Sequence, residues 1–100
     1  MDSKELRKAV IGLSNEAFEL AKQAVEGTGD KEQRAKQAQD INRRLEELLP
    51  EVQAAPATDQ PTLNSAWSDG RLDVGYVMSG GQLSTSTRLY YFIEDLKRMK

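Results

Sequence analysis

Apolar residues in the first half of the chain recur at spacings of three and four, which places them on one face of a helix. Two such stripes occur on either side of a break at residues 27–30, where Asp30 can cap the second helix. One antiparallel register joins every layer of the two stripes, so the pattern predicts a helical hairpin over residues 1–52. The stripe positions are Leu6, Val10, Leu13, Ala17, Leu20 and Ala24, followed by Ala38, Ile41, Leu45, Leu48 and Val52.

In the last forty residues the apolar positions alternate, and two residue pairs have the composition of hairpin turns. These pairs are Asp69-Gly70 and Gly80-Gly81. Pairing outward from both turns places apolar residues on one face of the middle strand and sets Asp73 opposite Arg88 on the other face. We therefore expect a three-stranded antiparallel β-meander, whose strands lie at about residues 62–67, 71–78 and 82–88.

The last apolar residues again have helical spacing and predict a short C-terminal helix over residues 89–99. Residues 87–93 also have high strand propensity, so the sequence leaves their conformation open. The expected fold class is α+β in a single domain over residues 1–100. Within it, the hairpin is joined to the β-meander and terminal helix, residues 62–100, by a proline-rich connector over residues 53–61.

The amino-acid composition makes several kinds of catalytic and metal-binding site unavailable. The 100-residue chain has no cysteine and no histidine, and its formal net charge is −2. Disulfides, thiolate nucleophiles, the most common metal ligand and the usual proton carrier at neutral pH are therefore missing. The longest apolar run, residues 89–93, is too short for a signal peptide or a membrane span. We expect a cytoplasmic protein that is not an enzyme, with no catalytic residue, no metal site and no cofactor.

One group of residues suggests ligand binding. Small hydroxyl side chains combined with an arginine can hold an anionic group through charge-assisted hydrogen bonds. In the predicted register several of them share the outer face of the sheet, which suggests a site for a small anionic or nucleotide-like ligand. The candidate ligand-binding residues are Ser79, Ser84, Ser86 and Arg88.

A second group of residues suggests a protein interface. Ile11, Phe18 and Val25 form an apolar stripe that drifts away from the seam of the hairpin and needs a cover, for which the C-terminal half is available. Residues 31–40 form a charged tip that includes Arg34 and could dock a partner. We take Ile11, Phe18, Val25 and Arg34 as candidate interface residues.

These features give three hypotheses about function. The favoured one is a non-enzymatic protein-interaction module (an adaptor, inhibitor or assembly subunit) that acts as a homo-oligomer. The alternative is a protein that binds the small anionic or nucleotide-like ligand described above. Nucleic-acid binding ranks last because acidic residues interrupt the basic ones on the second helix, and no membrane partner is expected. Those basic residues are Lys31, Arg34, Lys36, Arg43 and Arg44.

Overall fold

The fold was examined in a computed structural model, which describes residues 1–99. Four helices follow one another along the chain: α1 (Ser3–Glu26), α2 (Lys31–Gln53), α3 (Gln60–Met78) and α4 (Thr87–Arg98). No strand occurs among the described residues, so the predicted α+β class and its β-meander are wrong. The two helices of the hairpin and a short C-terminal helix are present at the predicted places.

The helical hairpin follows from local signals. Asp2 caps α1 by accepting a hydrogen bond of 2.8 Å from the backbone N–H of Glu5, and Asp30 caps α2 through the N–H of Glu32 at 3.0 Å. Between them, Gly27 ends α1 with a φ of 74°, a left-handed conformation that favours glycine. Pro50 lies inside the last turn of α2, which continues to Gln53.

The buried seam of the hairpin forms two clusters, each of which contains residues of both predicted stripes. Near the loop, Leu13, Ala17 and Leu20 pack with Ala38, Ile41 and Leu45; near the termini, Leu6 and Val10 pack with Val52. Leu48 and Trp67 contact both clusters, so the core is continuous along the molecule.

Helix α3 occupies the region predicted to contain the first two strands. Its buried positions are Leu63, Gly70, Asp73, Val74 and Val77, whose helical spacing lets one face of α3 pack against both α1 and α2. Gly70 is therefore not a turn residue. A Cβ atom at this position would lie 3.3 Å from the Ser14 Cα and 3.1 Å from the Leu45 Cδ1, so the missing side chain allows three helices to approach closely.

The second predicted turn is real, but it ends a helix instead of joining two strands. Gly80 and Gly81 have φ angles of 69° and 87°, and the Gly81 N–H bonds back to the Tyr76 carbonyl at 2.9 Å. The chain then forms a loop over residues 79–86, and α4 begins at Thr87 instead of residue 89. The predicted third strand, residues 82–88, is thus a loop followed by the first turn of a helix.

Helix α4 packs on α1 and covers part of its second apolar stripe. The rings of Phe18 and Phe92 meet edge to face, with centroids 6.5 Å apart. The C-terminal half does cover the hairpin, as expected, although it does so with helices. Across residues 1–99, no helix has the length and apolar character needed to cross a membrane.

Candidate functional site

A buried carboxylate connects three helices. Asp73 of α3 is fully buried, and its Oδ1 accepts a hydrogen bond of 2.6 Å from the hydroxyl of Ser86. Its Oδ2 accepts from the Arg88 Nε at 3.0 Å and lies 2.9 Å from the second guanidinium nitrogen, Nη2. Since Ser86 also caps α4 by accepting from the Leu89 N–H, Asp73 fixes the start of α4 against α3.

The electrostatics of Asp73 are dominated by its burial. Removal from water raises the pKa of the Asp73 carboxyl above its usual range, and the charge of Asp69 adds to this effect. The hydrogen bond from Ser86 and the charge of Arg88 act in the opposite direction. Burial outweighs these two effects, so the pKa of the Asp73 carboxyl is raised.

Arg88 uses the rest of its guanidinium group to reach α1. Its Nη2 donates to the Ser14 carbonyl at 2.7 Å and to the Ser14 hydroxyl at 3.0 Å, and its Cζ lies 4.7 Å from the centroid of the Phe18 ring. The pairing of Asp73 with Arg88, predicted from a strand register, is thus present between two helices. Sequence reasoning missed Ser14, whose contribution is largely a main-chain carbonyl and so leaves no signal in the sequence.

The four predicted ligand-binding residues do not form one site. Ser86 and Arg88 meet at Asp73, as described above. Ser79 ends α3, donates to the Tyr76 carbonyl and accepts from the N–H groups of Gln82 and Leu83, each at 3.1 Å. Ser84 is exposed in the loop. The sheet face that was expected to display these residues does not exist, and Arg88 is already engaged by an anionic side chain.

The predicted interface residues have partners within the chain. Phe18 packs against Phe92, Val25 packs on the core near the hairpin loop, and Ile11 is half-buried beside α3. The Arg34 guanidinium donates to the carbonyls of Thr28 and Gly29, which ties the tip of the hairpin together. These contacts within the chain show how the four side chains are held, and their role in an interface stays a prediction.

The basic residues of α2 are partly neutralised by their neighbours. Arg43 contacts Asp40 at 2.6 Å and Glu47 at 2.8 Å, and Arg44 contacts the second oxygen of Asp40 at 3.1 Å. Pairs of this kind, spaced three or four residues apart, are typical of a solvated helix face. They leave less positive charge available to a phosphate backbone.

An exposed apolar surface lies at the end of α3. Leu72, Gly75 and Met78 follow each other at intervals of three on this helix, and the Leu83 side chain lies beside Gly75, where a Cβ would be 3.6 Å from its Cδ1. Met78 and Leu83 are 46% and 59% exposed. Beside them is an open cleft of about 440 Å³, whose lining includes Asn42, Arg71 and Val74. We call Leu72, Gly75, Met78 and Leu83 the α3-end surface.

The strand prediction hid this surface. In the predicted register, Leu72 and Met78 lie on the apolar face of a sheet. In the observed helix, Leu72, Gly75 and Met78 recur at intervals of three, and none of them is buried.

Within residues 1–99, no group of three or more acidic side chains is placed to hold a metal ion. No protein-family model matches the chain, and no curated protein and no solved structure is significantly similar to it.

Proposed function

We propose that this four-helix protein is a small non-enzymatic interaction module that associates with a second copy of itself through the α3-end surface. The supporting observation is the uneven distribution of exposed large apolar side chains over the described residues. Apart from Met1 at the start of the chain, these side chains all lie between residues 72 and 99, and three of them, Leu72, Met78 and Leu83, belong to the α3-end surface. Exposed apolar side chains that lie together on a small protein are typical of contact surfaces, and methionine is enriched there.

The shape of the α3-end surface favours a symmetric contact. In a two-fold dimer each copy presents the same patch, so the patch must contain both a projection and a space that receives it. Leu83 and Met78 are exposed and form one wall of the cleft of about 440 Å³, whose lining also includes Gly75 and Val74. The side chains of one copy therefore have a recess of small and apolar groups to enter on the other copy.

The charges around the cleft also permit contact between identical chains. Like charges brought face to face would oppose a symmetric dimer. The charged residue in the cleft lining is Arg71, whose Nη1 lies 2.7 Å from the Glu46 Oε1 within the same chain. Its guanidinium also lies over the Trp67 ring, with 5.4 Å between Cζ and the ring centroid. Arg71 is thus neutralised before the two copies meet.

Sedimentation velocity over a wide range of protein concentrations tests this proposal. We expect a monomer–dimer equilibrium, with the weight-average sedimentation coefficient rising with concentration. Met78→Glu introduces a charge into the centre of the surface on both copies, so the variant is expected to remain monomeric at concentrations where the wild type is dimeric.

Met99→Glu is the matched control, because it makes the same chemical change at a methionine that is 81% exposed and lies outside the α3-end surface. This variant is expected to dimerise like the wild type, and circular dichroism checks that both variants are folded. A wild type that stays monomeric at every concentration would overturn the proposal. Equal dimerisation of the two variants would exclude the α3-end surface as the interface.

A further inference from the structure

A second, open cleft lies on the other side of α3, between this helix and α1, and Arg88 at the start of α4 contributes to its lining. Its volume is about 460 Å³. Polar side chains from all three helices line it: Ser14, Asn15, Thr62, Ser65, Asp69 and Arg88. Apolar lining is provided by Ile11, Pro61 and Ala66. This cleft is separate from the α3-end surface and plays no part in the proposed dimer.

The two charged residues of the cleft differ in what they already bind. Arg88 is neutralised by Asp73, and its Nη2 also donates to Ser14. Asp69 is half-buried and forms no ion pair or side-chain hydrogen bond within residues 1–99. It lies one helical turn before Asp73 and repels that carboxylate. Asp69 is therefore the charged residue of the cleft lining that has no ion-pair partner among residues 1–99, whereas Arg88 has one.

We propose that this cleft binds a primary alkylammonium group, with the Asp69 carboxylate as its counter-ion. An ammonium group has three N–H donors, which Asp69 and the nearby oxygens of Ser65 and Asn15 can accept. The apolar residues of the lining suit the methylene chain of such a ligand. A cation can pair with Asp69, whereas an anion would have to compete with Asp73 for the Arg88 guanidinium.

Two sources can supply this chemistry: a free diamine, or a lysine side chain of another protein. The test uses a simple probe for each, namely 1,5-diaminopentane and Nα-acetyl-lysine N-methylamide. Each is titrated into ¹⁵N-labelled protein at an ionic strength of about 20 mM, where surface charges are only weakly screened. Backbone amide shifts of Asn15, Ser65 and Asp69 report binding. 1-Pentanol, which has a similar chain and no charge, is the neutral control, and inorganic phosphate tests for an anion.

We expect saturable shifts at the cleft amides with at least one amine, and no saturable shifts with pentanol or phosphate. Binding by both amines shows that the ammonium group is sufficient, and binding by one of them identifies the source. Asp69→Asn keeps the size of the side chain and is expected to weaken amine binding about tenfold, the effect of losing one charge-assisted hydrogen bond. Asp95→Asn, at an exposed carboxylate of α4, is expected to leave binding unchanged.

Several results would overturn the assignment. They are the absence of saturable shifts with either amine, equal shifts with pentanol, preferential binding of phosphate, or equal weakening by the two asparagine variants. Because Asp69 lies outside the α3-end surface, the amine titration and the sedimentation experiment can fail independently of one another.

Discussion

Two glycines in the middle of helices offer a direct test of how tightly the helices pack. Gly12 of α1 and Gly70 of α3 both have ordinary helical backbone angles, and replacing glycine by alanine in a helix stabilises it by about 1 kcal/mol. At Gly12 a new Cβ would have nothing within 4 Å. Gly12→Ala is therefore expected to raise the free energy of unfolding by the full helix-propensity gain, about 1 kcal/mol.

At Gly70 the same methyl group meets atoms that have little room to move. The Cβ would lie 3.3 Å from the Ser14 Cα, which is main chain, and 3.1 Å from the Cδ1 of Leu45, a fully buried side chain. Overpacking of a core costs roughly 1–3 kcal/mol. After the propensity gain is subtracted, Gly70→Ala is expected to destabilise the protein by about 0–2 kcal/mol.

The two variants are compared by denaturant unfolding at one protein concentration, because association would add stability that depends on concentration. The difference between their unfolding free energies measures the overpacking cost, and about 1–3 kcal/mol is expected. In thermal unfolding each kcal/mol corresponds to roughly 4–8 °C for a domain of this size. If Gly70→Ala stabilised the protein as much as Gly12→Ala, the close approach of α1, α2 and α3 at Gly70 would be refuted.

The cluster around Asp73 gives two further predictions. Arg88→Ala leaves the buried Asp73 carboxyl with only Ser86 as its partner, so it is expected to lower the unfolding free energy by about 3 kcal/mol. This value is at the low end for a broken buried ion pair because the Arg88 side chain is one-quarter exposed. A loss below about 1 kcal/mol would place the pair among weak surface pairs. Because burial raises the pKa of Asp73, the folded state binds this proton more tightly than the unfolded state. The stability that this proton contributes is present below the ordinary carboxyl pKa and is lost as the pH rises through the folded pKa. Unfolding measured across this window should therefore show the wild type losing stability relative to Asp73→Asn as the pH increases, and the opposite slope would mean that Arg88 and Ser86 outweigh burial.

The hairpin could be predicted because its signals are local and agree with one another. The cap at Asp30, the break at residues 27–30 and a single apolar period all point to two helices joined by a short loop. In such a hairpin the partner of each helix is its neighbour in sequence, so the register follows from spacing alone. The turn at Gly80-Gly81 was also recognisable from the sequence. The sequence predicted that it joins two strands, whereas in the structure it ends α3.

The region of α3 was predicted incorrectly because its residues satisfy two periods at once. Leu72, Val74 and Tyr76 alternate as in a strand, while Leu63, Val74 and Val77 have helical spacing. A glycine after an aspartate is a strong turn signal when considered locally. What selects the helix is the hairpin itself, which offers a groove that one face of α3 fills.

The sequence by itself determined the helical hairpin and the absence of cysteine and histidine chemistry. It paired Asp73 with Arg88 only through a strand register that the structure does not contain. The tertiary structure decided the fold class, the burial of Asp73 and the exposure of the α3-end surface. The physical reason is that propensity and spacing act between neighbours in the chain. By contrast, position 70 needs a glycine because the Ser14 backbone lies close to it. Residues 14 and 70 are far apart in sequence, so this contact exists only after α1 and α3 have packed together.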